Sequence, residues 1–387
     1  MPATDAISNL LKRATDAGDV PGVIATAATK DGGVFYEGAF GKRSLGGAAP
    51  MTVDTVVRIA SMTKAVTGAC AMQLVEQGKL TLDEPIGKLL PDLAGVQVFE
   101  GFDDKGEPRL RAPKRPITLR HLLTHTSGHV YDTWNAKITP YREKAGIPAT
   151  DSGLNAALRT PLLFDPGEDW EYSIGIDWAG KAVEAVSGMK LGEYMKANIF
   201  DPLGMTDSGF TVGEDQNARR AAIHARGPNG LAPFERKFPD KPEYEAGGGG
   251  LSSTVGDYIT FTQMILHKGT FNGARVLKPE TVALMSQNAM GDLNVRALKT
   301  AQPMRSRDVD FIDGMKWGLT FLINPQPLDT GRSANSLAWA GLMNSYYWID
   351  PAKGITGVFA TQILPFCDVK ALPLFWDFER AVYDAVG

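Results

Sequence analysis

Segments with strand chemistry fall at both ends of this chain and helical spacing fills its middle, and that distribution restricts the fold more than any other feature. Gly22 to Thr29 and Gly33 to Gly41 alternate or run apolar around Asp31-Gly32-Gly33, a hairpin signature. Near the other end, Gly314 to Leu322, Ser336 to Gly341, Asn344 to Ile349 and Gly354 to Thr361 are short, aromatic and β-branched. They read as consecutive antiparallel strands. Ala6 to Gly18 and Leu372 to Ala385 have helical spacing. The expected fold is therefore α/β (α+β): an antiparallel sheet flanked by helices, built from both chain ends, with a mainly helical lobe inserted. At 387 residues the chain exceeds the roughly 250–300 over which one core keeps growing, so two lobes are expected. Residues 1–85 and 250–387 would form the sheet-and-helix lobe and residues 86–249 the helical one, with an active site in the cleft between them.

Composition narrows the partners. Hydrophobic residues at 43% and charged residues at 22% are those of a soluble globule. A net charge of −4 gives no footprint for nucleic acid. No apolar run of about 18 residues occurs, so no membrane span is expected. Met1 to Leu11 has no basic start and no long apolar core, and the only cysteines are Cys70 and Cys367. A cytoplasmic enzyme without disulfides is the expectation.

Three stretches invite a binding role that their chemistry does not support. Asp103 to Pro116 holds Lys105, Arg109, Arg111, Lys114 and Arg115, but acids interleave and no aromatics alternate with them, as in a solvated loop. His121, His125 and His129 stand at metal-like spacing. Ser127-Gly128 should end the helix before the third, however, and no acidic partner is near, so a structural helix end is expected and no metal. Gly247 to Gly250 lacks the Gly-Lys-Ser/Thr of a phosphate cradle, and reads better as backbone running close to a cleft. No cofactor is expected.

The chemistry centres on Val57-Arg58-Ile59-Ala60-Ser61-Met62-Thr63-Lys64, where strand-like sequence gives way to helical spacing that runs to about Leu80. Three residues apart on a helix, Ser61 and Lys64 share one face, one turn apart. A serine hydroxyl is a poor nucleophile until a neighbour takes its proton, and a desolvated lysine can do so. The first helical turn adds N–H groups and a positive dipole end, which suit an attacked carbonyl. Tyr172 stands at a loop-to-helix junction, where a side chain can be aimed into a cleft. Tyr131 and Trp134 lie on a long loop and are candidate pocket walls.

Four landmarks then fall in order: Ser61-Met62-Thr63-Lys64, the Leu119 to Gly128 string, Tyr172-Ser173-Ile174 and Trp339-Ala340-Gly341. With Gly248-Gly249-Gly250-Leu251-Ser252-Ser253 they resemble the serine β-lactamase and penicillin-binding superfamily, in its class C-like branch and closest to the family VIII carboxylesterases. The resemblance covers the chain from about Gly22 to the final helix. It implies a β-lactamase-like fold with Ser61 as the acylated nucleophile, Lys64 as its proton acceptor or electrostatic partner, and Tyr172 as the general-base tyrosine. It also implies an oxyanion hole from the N–H groups of Ser61 and Leu342, on a strand that Gly341 lets approach closely.

Two departures from the β-lactamase pattern shape the expected substrate. The third strand motif begins with Trp339 in place of lysine, and the tyrosine motif ends in Ile174 in place of asparagine. Both changes remove polar handles and add apolar surface. The expectation is a serine carboxylesterase acting on small to medium, largely apolar esters, with Trp339, Ala340, Gly341, Tyr131, Trp134 and Tyr347 against the substrate. A small-molecule ester is the partner expected, with no nucleic acid and no membrane. The rival readings are a β-lactamase or D-Ala-D-Ala peptidase, an acyltransferase with the same nucleophile, and a non-catalytic binding module.

Overall fold

The computed structural model describes residues 3–236, 238–239 and 241–387. Helix α1 spans Ala3–Asp16, and strands β1 (Gly22–Thr29) and β2 (Gly33–Gly41) follow as a hairpin. Gly33 turns it at φ 68, in the left-handed region that glycine tolerates. Strand β3 (Val57–Arg58) leads into a 3₁₀ turn at Ala60–Met62 and helix α2 (Thr63–Glu76). Helix α3 spans Gly175–Ser187. Strand β4 (Ser252–Ser253) pairs antiparallel with β3 and is followed by helix α4 (Val255–Leu266). Strands β5 (Lys316–Trp317), β6 (Leu322–Ile323), β7 (Leu337–Gly341), β8 (Ser345–Asp350) and β9 (Ile355–Ala360) precede helix α5 (Ala371–Val386).

The main sheet has seven strands in the order β5-β6-β7-β8-β9-β1-β2. Every neighbouring pair is antiparallel, and the first hairpin docks on the last strands through Ile24 opposite Ala360. Both chain ends therefore build one sheet. Every residue of β8 and β9 is buried, because helices cover both faces. On one face Tyr346 stacks on Phe375 of α5 with ring centroids 4.4 Å apart. On the other, Tyr347 meets Tyr258 of α4 at 5.1 Å. Between β3 and β4 in sequence lie short helices, 3₁₀ turns and two small hairpins, Val98–Phe102 with Pro108–Arg111 and His224–Gly227 with Gly230–Pro233.

Helix α2 is buried from Thr63 through Leu74. A helix that is closed in on all sides fits its run of alanine, valine, cysteine and methionine. Two local expectations fail for visible reasons. Asp151 to Leu162 reads as a helix but forms only 3₁₀ turns at Thr150–Ser152 and Asn155–Leu158. Gly153, at φ 73, interrupts it, and Pro161 disfavours helix in the residue before it. Gly314 to Leu322 reads as one strand but splits into β5 and β6, where Thr320 turns at φ 84. The charged strip at 103–116 is neutralised locally: Arg111 donates to both oxygens of Asp165 at 2.8 Å and to Glu100 at 2.7 Å. Among the described residues, no helix is long and apolar enough to cross a membrane.

Candidate active site

The short β3–β4 ladder holds the Ser61 turn in place. Ile59 N–H donates to Leu251 O at 3.1 Å, and the Thr63 hydroxyl accepts from Leu251 N–H at 3.1 Å. Ala60 sits at φ 45, an uncommon conformation for a residue with a Cβ. On the other flank β7 presses against this turn. A Cβ at Gly341 would stand 2.3 Å from the Ile59 carbonyl oxygen, so only glycine allows the approach. That packing brings Leu342, the residue after β7, into the same cleft as Ser61.

Lys64 is the hub. It is fully buried, and its Nζ lies 3.2 Å from Ser61 Oγ, 3.1 Å from the Tyr131 hydroxyl and 2.5 Å from the Gly248 carbonyl. Burial lowers its pKa to about 7, although the nearby Asp177 carboxylate pulls the other way. Near neutrality much of Lys64 is therefore an uncharged amine with two N–H donors and a lone pair. Gly248 O and the Tyr131 oxygen can take the two donors. The lone pair is then left for the Ser61 hydroxyl, which is the arrangement of a base on its nucleophile.

Tyr172 completes the cluster. Its oxygen accepts from the Trp339 indole N–H at 2.9 Å, and its ring lies 4.6 Å from Lys64 Nζ. Burial raises its pKa well above the ordinary phenol value, while hydrogen bonds with Ser61 and Trp339 oppose the rise. Tyr172 thus stays protonated where Lys64 is half deprotonated, so its phenol can donate a proton beside the Ser61 hydroxyl. Aromatic rings hold it on several sides: His125 at 4.7 Å, Trp339 at 4.9 Å, Tyr131 at 5.3 Å and Trp134 at 5.4 Å.

The histidine string serves this support. His121 caps its own helix by accepting from Thr118 N–H at 3.2 Å. His125 accepts from Ser173 N–H at 3.2 Å, directly after Tyr172. His129 lies 3.1 Å from Ser127 Oγ.

One contributor escapes sequence reasoning, and two others take a closer part than expected. Asp177, in the first turn of α3, accepts from Gly248 N–H at 2.9 Å and shifts the Lys64 equilibrium. An acid in a first helical turn is ordinary, so nothing marks it out in sequence. Gly248 supplies the carbonyl on Lys64, and the glycine run runs close to the cleft as expected. Tyr131, expected only as a wall, touches the lysine itself.

The cleft beside Ser61 has a volume of about 230 Å³ and is lined in part by Tyr131, Trp134, Tyr172, Phe210 and Leu342. Four residues expected against the substrate do not line it. Tyr347 lies across from Trp339 in register and is covered by Tyr258 of α4. Trp339 reaches the site only through its bond to Tyr172. Ala340 falls on the opposite sheet face by strand alternation, and Gly341 is occupied by its contact with Ile59.

A pH profile tests the hub. The acid limb of kcat/KM for an ester is expected near pH 7, where Lys64 loses its proton. Asp177 favours the ammonium form, so Asp177→Asn leaves burial less opposed and moves that limb to lower pH by about one unit. A limb that stays in place or moves up would refute this role.

The β-lactamase family model matches residues 7–374 of the chain. Monacolin J acid methylbutanoyltransferase of Aspergillus terreus is 33% identical over 390 aligned residues, which cover 96% of this chain and 94% of that protein. Lovastatin esterase of Penicillium rubens is 33% identical, with 96% of each chain covered. The unliganded structure of simvastatin synthase from Aspergillus terreus aligns with a TM-score of 0.85 at 31% identity and full coverage of both chains. The family match and the likeness in structure both span nearly the whole chain, which belongs to the β-lactamase family, within the serine β-lactamase and penicillin-binding superfamily.

Proposed function

We propose that this protein is an acyl-transfer enzyme that forms an acyl-enzyme on Ser61 and passes the acyl group to an alcohol or to water. The observation that carries this reading is Lys64 Nζ at 3.2 Å from Ser61 Oγ, with burial lowering the amine to about pKa 7. Ser61 Oγ bonds to the ester carbonyl carbon as Lys64 takes its proton. The N–H groups of Ser61 and Leu342 receive the oxyanion. The carbon–oxygen bond to the leaving alcohol breaks, and the proton reaches that oxygen through Lys64 and Tyr172. The incoming alcohol or water then repeats these steps in reverse.

Sequence alone puts hydrolysis ahead of transfer. Relatives named for acyl transfer and for ester cleavage support giving transfer equal standing. Small to medium, largely apolar esters fit the aromatic walls. The likeness to family VIII carboxylesterases, read from Trp339, is part of this proposal. So is the cytoplasmic location, supported by two buried free thiols, Cys70 and Cys367. Lactam and D-Ala peptide chemistry is disfavoured, because Trp339 stands in place of the strand lysine and its indole is committed to Tyr172.

Product partition decides between the branches. With p-nitrophenyl butyrate as donor and rising concentrations of an alcohol, the butyrate ester of that alcohol is expected to grow at the expense of free butyrate. Free acid alone at every alcohol concentration would reduce the protein to an esterase. Equal turnover of a chromogenic cephalosporin would overturn the substrate class.

A further inference from the structure

Another cavity, of about 290 Å³, lies behind β7, between the main sheet and α5. Ala340 stands opposite Tyr346, which stacks on Phe375 of α5, so Ala338 and Ala340 share the α5 face. Their small side chains leave a gap that Phe311, Leu322, Leu328, Phe375 and Trp376 surround. The volume is at the low end of the roughly 300–1,000 Å³ of ligand pockets. One wall is a closed turn. Leu328 N–H donates to Arg332 O at 2.9 Å and Gly331 N–H to Leu328 O at 3.0 Å, which sets Thr330 and Arg332 against the cavity.

Two polar atoms of the lining residues are buried without a partner. Glu379 is fully buried, and Arg332 Nε donates to its Oε1 at 2.5 Å. Its Oε2 has no hydrogen-bond partner among the described residues. The hydroxyl of Thr330, a residue 7% exposed, has none either. A buried oxygen without a partner carries an unrelieved desolvation cost, which a bound molecule can remove. The charges of the lining balance: two acids, Asp329 and Glu379, stand with two arginines, Arg332 and Arg380. A balanced lining favours a neutral guest. An ionised carboxylate only accepts, whereas a threonine hydroxyl donates and accepts. The complementary head is therefore a hydroxyl, which donates to Glu379 Oε2 and accepts from Thr330.

We propose that this cavity is a second ligand site, which takes a neutral, mainly apolar alcohol with its hydroxyl on Glu379 and Thr330 and its body among the aromatic rings. Trp339 lines the cavity as well, and its indole N–H donates to Tyr172 at 2.9 Å. Strand β7 is thus a wall shared with the Ser61 cleft, and a molecule bound behind it touches that strand without entering the cleft. The site stands apart from the acyl-enzyme reading, because none of its contacts involves Ser61 or Lys64.

Titration calorimetry on the full chain compares 3-phenylpropan-1-ol with its methyl ether, which keeps the ring and the chain but lacks the O–H donor. The alcohol is expected to bind with a Kd of about 1 mM or below. The ether should bind at least about fivefold more weakly. Leu328→Trp fills the cavity from a half-buried position and should abolish binding of both. Thr330→Val removes the hydroxyl and should bring the alcohol within about twofold of the ether. Circular dichroism checks that both variants are folded. A measurement on the wild-type protein needs no variant: a benzyl alcohol carrying a trifluoromethyl diazirine, photolysed on the enzyme, should label residues 311–332 or 371–380, and 3-phenylpropan-1-ol should suppress that label. Absence of binding would overturn the proposal, as would equal affinity for alcohol and ether. Binding that survives Leu328→Trp in a folded protein, or label confined to the Ser61 cleft, would overturn it too.

Discussion

Lys64→Met is expected to lower kcat/KM for a short-chain aryl ester by about a thousandfold to ten-thousandfold. The side chain touches Ser61, Tyr131 and Gly248 at once, and burial brings its pKa to about 7, which suits proton acceptance at neutral pH. Methionine keeps the length and apolar stem but removes the lone pair. Stability should respond in the opposite sense. Burial depresses the folded-state pKa of Lys64 from 10.5 to about 7, so the folded protein favours the uncharged form. That cost is present in full below pH 7 and declines as pH rises from 7 towards 10.5. The melting temperature of Lys64→Met relative to wild type should therefore be most favourable below pH 7, by on the order of a few degrees, and the advantage should shrink in alkali. Thermal melts across pH check this. Equal activity in the variant, or an advantage that grows with pH, would remove Lys64 from the role given to it.

How much of this site could be read from the residues depends on the range over which each contact acts. The Ser61 and Lys64 pair is local, one helical turn, and its spacing alone predicts contact. Tyr172 and Trp339 are 167 residues apart and meet through a hydrogen bond that no spacing rule reaches. Only the order of landmarks along the chain links them. The sheet built from both ends was legible because β-branched and aromatic runs cluster there, and because the Asp31-Gly32-Gly33 turn has few other uses. Asp177 was not legible, since an acid that complements a helix dipole and one that tunes a buried lysine look alike in sequence. Tyr347 was misjudged as a wall because alternation gives its face but not what covers that face, here Tyr258.

Ser61→Ala should cost more than any other single change, about ten-thousandfold or more in kcat/KM, because no bond to the acyl carbon can then form. Leu342 and the aromatic walls would still bind ester, so KM should change far less than kcat. The hydroxyl lies 3.2 Å from Lys64 and at the start of a buried helix, and replacement by alanine leaves the fold's packing almost unchanged. A folded variant with an intact cleft and no turnover would isolate the nucleophile from its surroundings. Retention of most activity would mean that another group carries the reaction.

The most direct measurement is the mass of the enzyme caught during turnover. The wild-type protein is mixed with a p-nitrophenyl ester, quenched in acid within the first turnover and digested. The acyl increment should fall on the peptide containing Ser61 and be absent from Ser61→Ala. An enzyme that turns over the ester while its Ser61 peptide stays unmodified, or that carries the acyl group on another residue, would contradict the acyl-enzyme account.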